Sequence, residues 1–427
     1  MALDLFEDMR TRGLVHQSTD PELGARLEAE RFSVYCGFDP TADSLTVGHL
    51  LQLTRLRRFQ AAGHRPIALA GGGTGLIGDP SGHDDERPLL EIDEIKSNVE
   101  SIRTQIERFI DFGSSDQGGL LVDNADWLIK AKLTEFLRDV GKYFSVNMMV
   151  AKDSVKTRLE GREQGISYTE FSYMLLQSFD YQHLFDTYGC RLQIGGSDQW
   201  GNIVAGVDFI RKTRGETVYG LTCPLIVKAD GKPFSKTAEG AIWLSKARTS
   251  PYRFYQFWFN TDDRDIVGYL NMFSFLNHDE IRNLAHSVET APHLREAQKA
   301  LAFELTSRLH GEQEAQRAVD ASFALFGTEI SGLDEELLLD VLQEAPSLSM
   351  SRSSLAGDGS GLVDVMVAAG LSPSKAAAKV DIEGGGVYIN NVRAEGADRK
   401  IERDDLLHDR YVVLRRGKKT YHLLRYE

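Results

Sequence analysis

The chain has 427 residues, of which 42% are hydrophobic, so it can form two to three domains with sizeable cores. Its formal net charge of −14 argues against nonspecific nucleic-acid binding, and its cysteines, Cys36, Cys190 and Cys223, are too scattered for a disulfide framework or a zinc site. No stretch is typical of a signal peptide or a membrane span, and we therefore expect a cytoplasmic protein without a membrane partner.

The first informative element is a strand at Tyr35 that passes through an Asp-Pro turn into a helix opening on Thr46, Val47, Gly48 and His49. A helix start leaves about four backbone N–H groups without partners and carries roughly half a positive charge. Small residues let an anion approach those groups closely, so this segment predicts a phosphate-binding helix start. Taken alone, it is more typical of an ordinary strand-to-helix corner with a packing glycine.

Two further strands, at 67–70 and 191–194, end in glycine-rich turns at 71–82 and 195–201. Glycine at the end of a strand lets the backbone come close to a ligand. Neither turn has the spacing of the dinucleotide-binding fingerprint, so we predict no nicotinamide or flavin site. The alternation of strands and helices over about residues 30–222 predicts an α/β fold with a parallel sheet.

A helix is predicted over residues 168–180, and it carries Tyr173, Gln177 and Asp180 at positions i, i+4 and i+7. This spacing places all three polar side chains on one face. The face could be a solvent-exposed edge. It could also be a specificity wall, which binds a substrate ammonium group and accepts a hydrogen bond from a substrate hydroxyl.

A polar loop at 228–237 contains glycine, proline and three lysines, Lys228, Lys232 and Lys236. Such a loop alone is typical of a solvated surface turn. Together with the helix start at 46–49, it predicts two cationic walls around a nucleotide triphosphate, one rigid and one mobile.

The sequence pattern and the composition of the C-terminal part change from one segment to the next. Residues 249–327 are mostly helical in pattern, 345–361 have the composition of a linker, and the last residues form a small α+β unit. The basic residues between 410 and 427 favour a polyanion contact, although a solvated tail would have the same composition. The expected domains are a catalytic domain at 1–222, the loop and a helical domain at 223–344, a linker at 345–361 and an RNA-binding domain at 362–427.

These motifs together resemble the bacterial-type tyrosyl-tRNA synthetases, which are class I aminoacyl-tRNA synthetases. The resemblance runs from the strand at Tyr35, through Gly75–Gly82 and Gln193–Gly201, to the basic residues at 415–419. It implies a Rossmann-like catalytic domain followed by a helical domain and a small α+β RNA-binding domain. The implied reaction joins tyrosine and ATP to tyrosyl-adenylate and pyrophosphate, and then transfers tyrosine to the 3′ end of tRNA(Tyr).

The resemblance also implies roles for individual residues. The catalytic group would be Thr41, Thr46, His49, Arg87 and Lys236. The tyrosine-binding group would be Tyr35, Asp79, Tyr173, Gln177, Asp180 and Gln199. The ATP-binding group would be Cys36, Gly37, Asp39, Gly48, Gly196, Asp198, Lys232, Ser235 and Lys236. The RNA-binding group would be Lys375, Lys379, Arg393, Arg415, Arg416, Lys418 and Lys419.

The implied cofactor is ATP as a substrate with Mg²⁺, without a tightly bound metal or organic cofactor. The implied partners are tRNA(Tyr), L-tyrosine, ATP and a second copy of the chain in a homodimer. The last domain resembles a small RNA-binding fold named after a ribosomal protein, on the pattern of 372–375 and 386–391.

Three positions depart from the family pattern: Thr46 replaces the first signature histidine, Pro233 falls in the lysine loop, and His83 stands where a lysine is expected. All three predict an altered affinity for ATP or pyrophosphate. They also prompt an alternative, an RNA-binding descendant that no longer activates amino acids. A tryptophanyl relative is a further alternative, which Tyr35 paired with Asp180 disfavours.

Overall fold

The computed structural model describes residues 4–79, 90–113, 118–152, 155–156, 166–231, 234, 236–237, 240–324, 330–343, 345–355, 359–417 and 420–427. The predicted site residues outside these ranges are Arg87, Lys232, Ser235, Lys418 and Lys419, together with the departures His83 and Pro233. For Lys236 the backbone is described and the side chain is not.

The chain forms two compact units: Met1–Thr249 with Trp258–Leu309, and Ser250–Phe257 with His310–Glu427. None of the described helices is both long enough and apolar enough to cross a membrane.

Six of the described strands of the first unit form one sheet. They are β1 Gln17–Ser18, β2 Ser33–Phe38, β3 Arg65–Ala70, β4 Leu120–Asp123, β5 Cys190–Gly196 and β6 Tyr219–Cys223. The order across the sheet is β1-β6-β5-β2-β3-β4, and all neighbours except β1 and β6 are parallel. Helices cover both faces of such a sheet, which is why β3 is an unbroken apolar run buried from Pro66 to Ala70. The predicted α/β fold with a parallel sheet is confirmed.

Helices connect these strands and cover the sheet. They are α1 Leu5–Thr11, α2 Leu23–Ala29, α3 Val47–Ala61, α4 Ile92–Ile106, α5 Ala125–Leu128, α6 Leu133–Asp139, α7 Val146–Val150, α8 Tyr168–Tyr188 and α9 Trp200–Arg214. The sequence sets clear ends for α8: the Ser167 side chain accepts the Glu170 N–H at its start, and Gly189 adopts the left-handed conformation after its end.

A short hairpin follows the sheet, formed by β7 Lys236–Thr237 and β8 Gly240–Ala241. The helices after the hairpin are α10 Pro251–Phe259, α11 Asp263–Phe273, α12 His278–Thr290, α13 Glu296–His310, α14 Glu312–Ala324 and α15 Glu335–Val341. The predicted helical region between 249 and 327 is therefore present.

The C-terminal part packs two helices, α16 Leu362–Ala368 and α17 Lys375–Glu383, on a small sheet. Its strands are β9 Ser347–Met350, β10 Ser360–Gly361, β11 Val387–Ile389, β12 Val392–Arg393, β13 Lys400–Ile401, β14 Tyr411–Arg416 and β15 Thr420–Tyr426. The larger sheet has the order β12-β11-β14-β15-β9, and β10 pairs separately with β13.

The predicted linker at 345–361 is wrong for its first part, because β9 runs parallel to the last strand and completes the sheet. Leu348 and Met350 pack against the core of this unit, whereas Ser347 and Ser349 are exposed. Such an alternation of exposed and partly buried residues is typical of a strand with one face packed on a core. The high serine content of this segment hid the pattern in the sequence.

Candidate active site

The carboxyl ends of β2, β3 and β5 lie side by side, and these strands and the segments that follow them carry many of the predicted tyrosine- and ATP-binding residues. Ligands bind at this edge of an open parallel sheet, because the strand ends and the helix starts meet there. The side chains divide into a buried end at Tyr35 and Asp180, a network of amides and carboxylates, a set of small or buried residues around Gly37 and Gly196, and the start of α3.

Tyr35 and Asp180 form the buried end of the site. Tyr35 is 1% exposed, and its phenolic oxygen has no hydrogen-bond partner among the described residues. Burial and the nearby charge of Asp180 together raise the pKa of Tyr35 well above its usual value. A buried hydroxyl without a partner is costly, so this geometry fits a ligand that brings its own hydroxyl.

Asp180 is held by two donors that sequence reasoning missed. The Trp127 indole N–H donates to Oδ1 at 2.7 Å, and the Asn124 amide donates to Oδ2 at 2.9 Å. Burial raises the pKa of Asp180 to about 7, although both hydrogen bonds act to lower it. Each carboxylate oxygen has two lone pairs, so Asp180 can still accept a further hydrogen bond.

A continuous chain of hydrogen bonds links this buried end to the nucleotide side. Asn124 Nδ2 also donates to Thr74 Oγ1 at 3.0 Å, and Thr74 in turn donates to Asp39 Oδ1 at 2.7 Å. The Tyr173 hydroxyl donates to Asp39 Oδ2 at 2.7 Å. A predicted tyrosine-binding residue and a predicted ATP-binding residue are therefore in direct contact.

Gln199 is the centre of the polar network beside Tyr173. Its Nε2 donates to Asp79 Oδ2 at 2.8 Å and to Asp198 Oδ2 at 3.1 Å. Its Oε1 accepts from Gln177 Nε2 at 3.4 Å. The two carboxylates and the amide oxygens can receive an ammonium group, and the amide nitrogens can orient a carboxylate.

The floor of the nucleotide side is made of small or buried groups. Gly37 is exposed, and a Cβ at this position would meet nothing. A Cβ at Gly196 would instead overlap the Asp198 carboxylate, so a larger residue there would force that side chain to move. Burial raises the pKa of the Cys36 thiol to about 12, which keeps it neutral. The surface is therefore open to a ribose without an intruding charge.

The start of α3 is organised by Thr46 and His49. The Thr46 N–H donates to His49 Nδ1 at 3.1 Å, so the neutral imidazole carries its proton on Nε2. The Val47 N–H donates to the Ile242 carbonyl at 3.0 Å and is thus unavailable to a phosphate. Gly48 is exposed and Thr41 lies exposed on the preceding turn.

The lysine-loop region is fixed to this helix start through its backbone. Lys236 pairs with Ala241 in the hairpin, and the next residue, Ile242, accepts the Val47 N–H. The Leu244 N–H donates to the Leu45 carbonyl at 2.8 Å. The backbone of Lys236 is therefore held close to the start of α3.

The same loop is anchored by an aromatic cluster. The Phe234 ring is buried, and its centroid lies 5.0 Å from Tyr269, 5.3 Å from Phe273 and 5.7 Å from Trp258. At the other end of the loop, the Ala229 N–H donates to the Asp265 carboxylate at 3.1 Å. Both anchors belong to the first unit.

The predicted RNA-binding residues of the second unit differ in exposure. Lys375 and Lys379 on α17 and Arg393 on β12 are exposed, and Lys375 pairs with Asp364 at 2.6 Å. Arg416 is half-buried and pairs with Asp381 at 3.4 Å.

Arg415 is buried, contrary to its predicted role as a phosphate contact. Its guanidinium lies 3.7 Å from the Tyr388 ring centroid and donates to Asn391 and to the Gly417 carbonyl. We therefore assign Arg415 a structural role within the sheet.

Sequence reasoning missed Asn124, Trp127 and Thr74. Asn124 and Trp127 directly follow β4, and polar residues after the carboxyl end of a parallel strand are the signal that could have identified them. Their distance along the chain from Asp180 hid the contact.

Comparison with models of known protein families identifies the class of protein. The family model described as tRNA synthetases class I (W and Y) matches residues 27–327, and the model of the tyrosine–tRNA ligase SYY-like C-terminal domain matches residues 340–424. The chain therefore belongs to the class I tRNA synthetases.

Comparison with individual relatives shows to which family within this class the chain belongs. The tyrosine–tRNA ligase of Roseiflexus castenholzii is 51% identical over 421 residues, covering 99% of each chain. That of Geobacillus stearothermophilus is 49% identical over 426 residues, covering 99% of this chain and 100% of the relative. A truncated mitochondrial tyrosyl-tRNA synthetase from Aspergillus nidulans has a TM-score of 0.69 at 33% identity, covering 76% of this chain and 95% of that structure. Within the class, the chain belongs to the tyrosine–tRNA ligase family.

Proposed function

We infer that the protein is a tyrosine–tRNA ligase, which activates tyrosine with ATP and transfers it to tRNA(Tyr). The observation that supports this most directly is the unpaired Tyr35 hydroxyl beside Asp180, at the end of a hydrogen-bond chain that reaches Asp39. A phenol would satisfy Tyr35 and Asp180 at once. Phenylalanine would leave the buried Tyr35 hydroxyl without a partner and would add nothing to the two hydrogen bonds that Asp180 already accepts, so the site selects tyrosine by its hydroxyl.

We propose that Tyr173, Gln177 and Asp79 receive the substrate ammonium group and that Gln199 orients its carboxylate. The Tyr173 hydroxyl and the Asp79 carboxylate lie on either side of the polar network described above. The direct contact between Tyr173 and Asp39 supports a pose in which the amino acid lies beside the nucleotide and its carboxylate can reach the α-phosphorus.

The reaction needs no general base, because the tyrosine carboxylate is already ionised at neutral pH and attacks the α-phosphorus itself. Catalysis therefore consists of positioning and charge stabilisation. The attack spreads negative charge over the equatorial oxygens and the leaving pyrophosphate, and prearranged donors stabilise that distribution more than they stabilise ATP. We assign this role to Thr41, Thr46, His49, Arg87 and Lys236. Losing one such donor typically costs about 3 to 4 kcal/mol of barrier.

We propose that ATP enters as its Mg²⁺ complex, so that the metal is part of the substrate. Its contribution is to neutralise triphosphate charge. Within the described ranges, no cluster of three His, Cys, Asp or Glu side chains could hold a resident metal ion. Cys36, Gly37, Asp39, Gly48, Gly196 and Asp198 would line the nucleoside part, with Lys232, Ser235 and Lys236 beside the phosphates.

For tRNA binding, we propose that the exposed basic side chains of the last domain contact the phosphate backbone. Lys375, Lys379 and Arg393 are exposed on one helix and one edge strand, and we add Arg416, Lys418 and Lys419 from the predicted set, without the buried Arg415. Contacts of this kind give salt-dependent affinity and fix orientation, without reading sequence.

We propose that the protein acts as a cytoplasmic homodimer. Five large apolar side chains within residues 129–150 are exposed, namely Ile129, Leu133, Leu137, Val146 and Val150. An exposed apolar surface of this extent is typical of an interface, and a second copy would bury it. Light scattering should give twice the chain mass, whereas Leu133→Glu should give a monomer.

The function is tested by tyrosine-dependent exchange between ATP and pyrophosphate, followed by charging of tRNA(Tyr). We expect both reactions with tyrosine and neither with tryptophan or phenylalanine. Exchange with tryptophan would favour the tryptophanyl alternative. RNA binding without any exchange would favour the descendant that no longer activates amino acids.

A further inference from the structure

Arg55 is a buried arginine whose position no part of the reaction described above explains. It lies on α3, its side chain is 0% exposed, and it forms no salt bridge with a described residue. Charged side chains are rarely buried without a carboxylate partner, because the cost of removing them from water must be offset. Its surroundings should therefore show what the charge does.

Arg55 binds the ends of two neighbouring strands. Its Nη1 donates to the Gly195 carbonyl at 3.0 Å, and its Nη2 donates to the Leu221 carbonyl at 3.2 Å. Gly195 and Leu221 lie near the carboxyl ends of β5 and β6, which are parallel neighbours. One guanidinium therefore fixes the spacing of these strand ends directly before the turn that begins at Gly196.

The rest of the cluster is neutral. Arg55 Nη1 also donates to Gln52 Oε1 at 2.8 Å, and Gln52 Nε2 donates to Cys223 Sγ at 3.3 Å. The Arg55 charge also acts to lower the pKa of the Cys36 thiol, against the larger effect of burial. The Nε of Arg55 has no hydrogen-bond partner among the described residues. The positive charge is thus balanced mainly by carbonyl dipoles.

The helix geometry directs this charge towards the nucleotide. Arg55 follows His49 by six residues, which is about 9 Å along the helix axis. Side chains on a helix tilt towards its N-terminus, and the N-terminus of α3 is the proposed phosphate end of the site. In a poorly polarisable interior, a unit charge at roughly 10 Å from a phosphate changes binding on the order of tenfold.

We propose that Arg55 is a positioning residue for ATP: it fixes the Gly195–Gly196 turn that contacts the ribose, and its charge supports the triphosphate. This inference rests on the proposed tyrosine–ATP reaction. A residue that merely braced the sheet would affect tyrosine and ATP binding alike. A positioning residue for the nucleotide changes the Michaelis constant for ATP and leaves that for tyrosine unchanged.

The test uses the full chain in the exchange assay, with Arg55→Met, Arg55→Lys and a control, Arg57→Met. Arg57 lies on the same helix, is half-buried and donates to Gln60. We expect Arg55→Met to raise the KM for ATP about tenfold, with the KM for tyrosine within about twofold of the wild type. Arg55→Lys, which keeps the charge but not the two-pronged geometry, should fall in between, and Arg57→Met should match the wild type.

Equal shifts of both constants, or an unchanged KM for ATP, would overturn the proposal. Because KM does not depend on the fraction of active enzyme, a partly unfolded variant still gives an answer. If Arg55→Met does not fold, Arg55→Lys must raise the KM for ATP alone, and its failure to do so counts against the proposal. Exchange by the wild type in the same experiment separates this result from a failure of the proposed function.

Discussion

Replacing Tyr35 by phenylalanine should stabilise the empty enzyme and weaken its binding of tyrosine. The phenolic oxygen of Tyr35 is buried without a hydrogen-bond partner among the described residues, and such a group costs about 1–3 kcal/mol. Tyr35→Phe removes that cost, so the free energy of unfolding of the unliganded protein should rise by about 1–3 kcal/mol. The ring itself, which packs 5.1 Å from the Tyr181 ring, is kept.

The same substitution removes one hydrogen bond to the substrate phenol, worth about 0.5–1.5 kcal/mol, and should raise the KM for tyrosine about two- to tenfold. Denaturant unfolding without ligands and the exchange assay measure the two effects. Tyr181→Phe is the matched control, because this equally buried hydroxyl donates to the Tyr219 carbonyl at 2.8 Å. That variant should lose about 1 kcal/mol of stability. A loss of stability in Tyr35→Phe, or an unchanged KM for tyrosine, would refute the reasoning.

Four further predictions concern other parts of the protein. Thr46→His should lower the KM for ATP several-fold, because an imidazole adds a donor at the phosphate end. Asp180→Asn should gain stability relative to the wild type by about 3 kcal/mol between pH 4.5 and pH 7, because over this range Asp180 is ionised in the unfolded chain, whereas its raised pKa keeps it largely protonated in the folded wild type. Phe234→Ala should lower the free energy of unfolding by about 3–5 kcal/mol, since it removes a buried ring, and should slow adenylate formation because the loop of Lys236 loses its anchor. Lys379→Gln with Arg393→Gln should raise the KM for tRNA and weaken its salt dependence, without changing exchange.

Each of these four predictions has a specific result that would contradict it. An unchanged KM for ATP in Thr46→His would contradict the role given to that position. Parallel pH profiles of unfolding for Asp180→Asn and the wild type would show that Asp180 titrates normally. Phe234→Leu, which keeps most of the buried volume, should be close to the wild type, and equal damage from both Phe234 variants would argue against packing. Slower exchange in the double tRNA variant would indicate misfolding.

The sequence predicted the site best where local periodicity decides the geometry. Tyr173, Gln177 and Asp180 share a helix face because helical spacing requires it, and the structure has a helix there. The parallel sheet followed from alternating apolar runs and helices, and its order places β2 beside both β3 and β5.

The sequence could not predict contacts between distant segments. Asp180 meets Asn124 and Trp127 only because α8 packs beside the end of β4, and no local pattern encodes that approach. The burial of Arg415 has the same origin: a basic run predicts exposure, whereas stacking on Tyr388 from a neighbouring strand holds this side chain inside.

The central claim is that one cleft holds the phenol at Tyr35 and Asp180 and the α-phosphate at the start of α3. A crystal structure of the protein soaked with tyrosine and Mg²⁺-ATP tests it most directly. We predict tyrosyl-adenylate with its phenolic oxygen at about 3 Å from both Tyr35 Oη and an Asp180 carboxylate oxygen, and with its phosphate beside Gly48 and His49. Tyrosine bound with its ring elsewhere, or a nucleotide far from α3, would contradict the claim.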